Sequence, residues 1–358
     1  MHLTSIIPKP GKKRKSRYGP ALLAHLEKLY DIFDCPCAQR LKPAIESELE
    51  RLRSFGEIVV NDEDTNRKKY AKKGISTTKP GALLKRQIPI RLTQWDTQKV
   101  GFMEVDLVAH CGGNASGQFA HTASLTEICS GWWEGEAIPN KGQLATLEAI
   151  KKMRLRTPFD WLGLDSDNGS EFINHHLVKW CQSESLEFSR SRPNHKNDNA
   201  YVEQKNWTDV RQIIGYSRYD TQDEIEIINA LYRNELRLYK NLFLPQLKLK
   251  SKTRIGGHLK RQYEPAKTPY QRLLDSGQLS EVQAKKLKAI YEQLNPAKLK
   301  RQIEFKLHQL RLAYQNKGGD VGHHLNQAGI PKDKESEPEI VAQKMPTEIG
   351  EKVLVMTT

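Results

Sequence analysis

The stretch F-M-E-V-D-L-V-A at residues 102–109 decides the fold. Its β-prone apolar residues end at a glycine-rich turn, H-C-G-G-N-A-S-G at 110–117, and read as a buried strand. Glu104 and Asp106 interrupt it, and the two-residue alternation of a strand puts both on one face. A lone carboxylate there is costly unless it is paired or bound to a metal ion. Working outward, Q-F-A-H-T-A-S-L-T-E-I-C (118–129) and S-G-W-W-E-G-E-A-I (130–138) read as a second and a third strand. A helix is expected over about 141–154, then a short buried strand at W-L-G-L-D-S and a helix beginning near Ser170. L-E-F-S-R-S reads as a short strand, R-P-N-H-K-N-D-N as a polar loop, and about 199–214 as a long helix with Asp198 as its expected cap. Three strands in succession, then alternating helices and strands, describe an α/β layer on a mixed sheet.

Three acids in this segment stand out. Asp106 is in mid-strand, Asp167 ends an apolar strand where the chain turns toward a helix, and Glu203 lies in the first turns of the next long helix. Strand centre, strand end and helix start can bring three distant acids to one point. Each alone has an ordinary reading: Asp167 as a turn former before Asn168 and Gly169, Glu203 as a surface glutamate. Together they suit a hard cation such as magnesium, which keeps waters and accepts phosphate oxygens. Two such ions about 3.5–4 Å apart can activate an attacking hydroxyl and stabilise a leaving oxygen.

The strings M-E-V-D-L-V-A-H, L-D-S-D-N-G-S-E-F-I-N and N-D-N-A-Y-V-E-Q-K-N-W resemble the DDE transposases and retroviral-type integrases. The 35 residues between Asp167 and Glu203 match the D-35-E pattern of that superfamily. The resemblance covers roughly residues 75–310 and is strongest to bacterial insertion-sequence transposases with an integrase core. It implies an RNase H-like catalytic core flanked by helical DNA-binding regions, an acidic triad of Asp106, Asp167 and Glu203, and two Mg2+ or Mn2+ ions. It also implies cleavage and strand transfer of DNA at insertion-sequence ends. The partners would be transposon ends and target DNA, with the protein a homo-oligomer on DNA.

The neighbours of the triad read separately. Asp165, two residues before Asp167, is its rival as the second acid. Glu104 reads as a flanking polar residue, and Glu171 as favouring a helix N-terminus electrostatically. Asn199 and Trp207 lie one turn either side of Glu203. Asn199 is a candidate for DNA or a metal-bound water, whereas Trp207 is expected in the core. His195, Lys196 and Lys205 are placed to meet phosphates or to form a solvated basic face. His175 and His176 read as ordinary surface or core histidines.

The rest of the chain frames this core. Its 358 residues carry a formal net charge of +14, which points to a polyanionic partner. Residues 1–18 form a basic arm; two helices follow, the first starting at Pro20 and the second ending near Gly56. The expected divisions are an N-terminal region at 1–75, a linker at 76–97, the core at 98–217, a basic and mostly helical region at 218–318 and a loose tail at 319–358. Within 218–318, a basic stretch with Lys248, Lys250, Lys252, Arg254, Lys260 and Arg261 is a candidate DNA surface, or else the charged face of a helical domain. Five scattered cysteines argue against a disulfide framework, and Cys35 and Cys37 form a lone C-x-C without a second zinc-ligand pair. No apolar run is long enough for a membrane span or a secretory leader, so a cytoplasmic, nucleoid-associated protein is expected.

Related enzymes place a helix-turn-helix ahead of the core, and no recognition helix stands out here. The rivals are therefore a truncated, catalytically silent transposase that only binds DNA, and a nuclease of the same fold that only hydrolyses.

Overall fold

The computed structural model describes residues 20–34, 37–58, 88, 96–192, 199–255 and 258–317. The basic arm, most of the linker, His195, Lys196, Asp198 and the tail lie outside the described residues. Helices α1 (Pro20–Phe33) and α2 (Ala38–Ser54) come first. Just past α2, Gly56 takes φ +68°, the left-handed conformation that ends a helix at little cost when no Cβ is present.

The sheet is built around β1 (Phe102–Ala109). On one side β2 (His121–Glu127) and β3 (Trp133–Ile138) continue it as an antiparallel meander. On the other, β4 (Gly163–Ser166) and β5 (Glu187–Arg190) run parallel to it. Parallel neighbours need a crossover. α3 (Gln143–Arg154) supplies one ahead of β4, and α4 (His175–Ser183) the other ahead of β5. The order β3-β2-β1-β4-β5 is the RNase H-like α/β arrangement expected from the sequence. Where β1 begins, Gly101 sits at φ +111°, and a Cβ there would lie 2.6 Å from the Asp160 carbonyl oxygen. Only glycine lets the two chains pass that closely.

Every residue of β2 and β3 is buried, so the sheet is covered on both faces and at the β3 edge. Met103, Val105, Leu125, Trp133, Ile150, Met153, Leu164 and Phe172 form its core. Trp133 packs edge-on to Tyr232 and donates its indole N–H to the Ser124 hydroxyl at 3.0 Å.

Three elements differ from the sequence reading. α4 begins at His175 and not near Ser170, because Asn174 caps it by accepting the Leu177 N–H at 2.9 Å. Residues 170–173 are spent on a turn that buries Phe172 and Ile173. The long helix expected over 199–214 is α5 (Ala200–Lys205), a π-helical stretch (Asn206–Arg211) and α6 (Gln212–Ile214). The basic stretch is neither coil nor a helix face. It is an antiparallel ribbon of β6 (Leu249–Ile255) and β7 (His258–Tyr263).

Around these, α7 (Gln222–Leu231), a second π-helical stretch (Tyr232–Leu236) and α8 (Arg237–Leu242) pack on β3. α9 (Pro269–Asp275), α10 (Glu281–Gln293) and α11 (Pro296–Lys317) complete the described chain. The two N-terminal helices dock on this helical region. The Tyr239 hydroxyl donates to the Ile32 carbonyl at 2.5 Å, and Arg51 donates to the carbonyls of Tyr291 and Glu292 at 3.0 Å each. Among the described residues no helix is long and apolar enough to cross a membrane.

Candidate active site

The sheet register brings the first two acids together. β1 and β4 run parallel with Glu104 beside Asp165 and Val105 beside Ser166. One step further along both chains, Asp106 meets Asp167 at the mouth of the sheet. Asp165 lies deeper; it is fully buried and accepts the Ser189 hydroxyl at 2.5 Å. Of the two rivals, Asp167 is the one that solvent reaches.

The third acid is delivered by a helix strapped along β1. The Glu104 carboxylate accepts the N–H groups of Tyr201 and Val202 at 3.1 Å each. Two residues on, Asp106 Oδ2 accepts the Asn206 side-chain amide at 2.7 Å. At the end of the strand, Arg211 donates to the Ala109 carbonyl at 2.8 Å. Glu203 lies between the first two ties and is exposed. The helix turns from α to π at Asn206 itself, and π-helical turns inside α-helices often mark functional sites.

The acids repel one another. Burial first, then the charges of Asp167 and Glu203, push the Asp106 carboxyl up to about 7, against the Leu107 N–H and Asn206 amide that favour its ionised form. Burial also raises Asp167, although the Gly169 N–H is donated to its Oδ1 at 2.8 Å. A fourth acid joins them. Glu171 is buried, and its carboxyl is raised by burial and by Asp167. One of its oxygens has no hydrogen-bond donor, and the group packs so closely on Gly169 that a Cβ there would lie 2.6 Å from its Cδ. This replaces the helix-terminus role expected for Glu171.

The expected neighbours divide. Asn168 shapes the turn, donating to the Ser191 carbonyl and accepting from Arg190, both at 2.9 Å. Glu104 is not merely flanking, since it satisfies the first N–H groups of α5. Asn199 is the N-cap of α5 and only 7% exposed, which withdraws it from DNA. Lys205 is likewise 7% exposed: it pairs with Asp209 at 3.0 Å, which Lys240 also meets at 3.3 Å. A phosphate cannot reach an ammonium committed in this way. Lys248 donates to the Cys129 carbonyl at 2.9 Å and the Thr97 carbonyl at 3.3 Å, so it anchors the ribbon. Trp207 is 41% exposed and not in the core, because the inward face of its helix is taken by Val202, Lys205, Asp209 and Val210. Lys250, Lys252, Arg254, Lys260 and Arg261 stand exposed on the ribbon, and His175 and His176 are exposed on α4. Lys196 falls outside the described residues.

The reading of the residues left Glu104 and Asn206 without their roles. Two signals mark them. The E-V-D alternation sets Glu104 on the face of Asp106, and E-Q-K-N sets Asn206 one helical turn from Glu203.

The donor chemistry fits a hard divalent cation: half-buried carboxylates raised by burial and mutual repulsion, with a buried oxygen of Glu171 lacking a donor. As they stand, no group of three His, Cys, Asp or Glu side chains among the described residues is arranged to hold one. Closing the set needs side-chain movement, for which Glu203, exposed on its helix, has room.

No protein-family model matches the chain. Among solved structures it is similar to the catalytic core domain of BIV integrase, with 21% identity and a TM-score of 0.33, over 49% of this chain and 95% of that one. It is also similar to the HTLV-2 integrase catalytic core domain in complex with magnesium, with 13% identity and a TM-score of 0.31, over 41% and 89%. Over 274 residues it is 35% identical to the uncharacterized protein y4rM of Sinorhizobium fredii (strain NBRC 101917 / NGR234), which spans 72% of this chain and 78% of that one. At that identity and coverage, the chain belongs to the same family as the Sinorhizobium fredii protein y4rM.

Proposed function

We propose that this protein is a DNA transposase of the integrase type, a polynucleotidyl transferase that cuts and joins strands at insertion-sequence ends. The observation that carries the proposal is the meeting of Asp106 and Asp167 at the mouth of an RNase H-like sheet, with Glu203 on the helix tied across it. Asp106, Asp167 and Glu203 would hold two Mg2+ or Mn2+ ions. When bound, such a pair activates an attacking oxygen and stabilises the leaving one.

The chain's own groups prepare that site. The Leu107 N–H and the Asn206 amide fix the two oxygens of Asp106, and the Gly169 N–H fixes Asp167. Trp207, exposed on the helix of Glu203, offers an aromatic face on which a base can stack. The reaction breaks one phosphodiester at a transposon end by attack of water, leaving a free 3′-hydroxyl. That hydroxyl then attacks a target phosphodiester, forming one new bond and releasing a target 3′-oxygen. The partners are transposon ends and target DNA, and pairing two ends calls for a homo-oligomer on DNA.

The test is magnesium-dependent cleavage and joining of labelled transposon-end DNA by the wild-type protein and by Glu203→Gln. Joined products lost in the variant support the proposal; cleaved but unjoined products reduce it to a nuclease. A second reading, a silent DNA-binding transposase relic, is favoured by the acids' open arrangement. Salt-sensitive binding with no metal-dependent product would establish it.

A further inference from the structure

The β6–β7 ribbon combines a firm base with a bare shaft. At the base, the Lys248 ammonium is fixed to two backbone carbonyls, and its own carbonyl accepts the Glu264 N–H at 2.9 Å. Gln246 bridges Lys267, while Arg272 holds Glu264 at 2.6 Å and the Gln246 carbonyl at 3.1 Å. Beyond that base every residue of β7 is exposed. A two-stranded hairpin with no covered face is marginally stable in water at best.

Charge makes the shaft costlier still. Residues 249–263 hold five lysines and arginines and no acid. The register sets Lys252 directly opposite Arg261, a like-charge pair that destabilises a ribbon. Arg254 and Leu259 share the face of that pair, whereas Lys260 and His258 lie on the other face. The ribbon is thus cationic on both sides and has no apolar side to lay on another sheet.

From this we infer that the ribbon is an arm that enters the major groove of duplex DNA. The inference rests on the DNA-transposase reading and adds the mode of contact. A flat anionic surface would neutralise one face of the ribbon; a groove walled by two rows of phosphates neutralises both. The dimensions agree: the strands are about 4.8 Å apart, and the major groove, about 12 Å wide, admits a two-stranded ribbon. A seven-residue strand reaches roughly 23 Å, about two-thirds of a helical turn of DNA.

The test uses the full chain carrying Lys252→Gln, Arg254→Gln and Arg261→Gln together. All three positions are exposed and a like-charge pair is relieved, so the thermal midpoint should not fall, and that is measured first. Duplex affinity is then followed against salt, with dimethyl sulfate probing of guanine N7 in the major groove. The slope of log affinity on log salt should fall by about 3, and major-groove protection should vanish. An unchanged slope, unchanged protection, or stronger competition by RNA or anionic lipid vesicles than by duplex overturns the arm. Glu203→Gln run in parallel separates the two ideas. If it keeps groove protection while wild type yields no metal-dependent product, the catalytic reading falls and the arm stands. If wild type cuts and the triple variant binds and cuts unchanged, the arm falls alone.

Discussion

Two pairs of acids sit on the same sheet, one buried and one half-buried, and are treated in opposite ways. On β3, Glu134 and Glu136 are each gripped by arginines. Arg156 donates to both at 3.0 Å, Arg237 reaches Glu134 at 3.3 Å, and Arg233 pairs with Glu136. At the mouth of β1 and β4, Asp106 and Asp167 receive only neutral donors, and among the described residues no ion pair joins either. Acids paired within the chain serve the fold; on the proposed reading, the acids left to repel one another are those that metal ions would pair.

The largest effect should come from removing a site acid. Asp106→Asn or Glu203→Gln should lower metal-dependent strand cleavage by at least about 1,000-fold, about 4 kcal/mol. Stability in urea should hold or rise, because a repulsion is removed. A variant that keeps its activity, or unfolds as easily as a β3 variant, breaks the comparison. Next in size, Glu136→Ala should lower unfolding free energy by about 2 kcal/mol, because Arg233 loses its carboxylate while Arg156 keeps only that of Glu134. The figure sits at the low end because Arg233 is 42% exposed. The check is a urea titration, and an unchanged midpoint would show that the β3 pairs contribute nothing to the fold.

A subtler probe is Asn206→Ala, which leaves the three acids in place and frees only Asp106 Oδ2. Activity should drop about 10–100-fold, and stability by about 1 kcal/mol. Loss of stability without loss of activity would make Asn206 a fold residue. The last effect is in pH. Asp106 is raised to about 7 in the folded chain, with Asp167 and Glu171 raised as well. A raised carboxyl binds its proton more tightly folded than unfolded, so stability in metal-free buffer should fall as pH rises from the ordinary carboxylate range toward 7 and then level off. Thermal melts across that window should show the decline in wild type and a shallower one in Asp106→Asn. Added Mg2+ should restore stability above pH 7.

The central part of this contrast is legible in the sequence because it is local. An acid inside F-M-E-V-D-L-V-A, an acid ending W-L-G-L-D-S-D and an acid at a helix start each break a pattern within a few residues. What escaped is set by distant partners. Lys205 reads as meeting phosphates or as part of a solvated face until Lys240, thirty-five positions on, is found with it against Asp209. The same remoteness hides the clamp of Glu104 on α5. The ribbon is hidden for another reason: its alternation of lysine and arginine has the period of a strand, but its charge and helical surroundings suggest the charged face of a helical domain. The glycine pair at 256–257 is the hairpin signal that the charge obscured.

The straps between β1 and the helix of Glu203 bear on how such a protein can vary. Tyr201, Asn206 and Arg211 are held by Glu104, Asp106 and Ala109, so the strand acts as a ruler for the helix. The number of residues between the second acid and the third is therefore not what puts the third in place. A changed residue count ahead of Asn199 would leave the residues of every strap in place. One residue added between Glu104 and Asp106, by contrast, would turn them to opposite faces and disconnect the helix. The countable spacing is what carries the resemblance; the uncounted straps are the constraint that a lineage, or an engineer, has to respect.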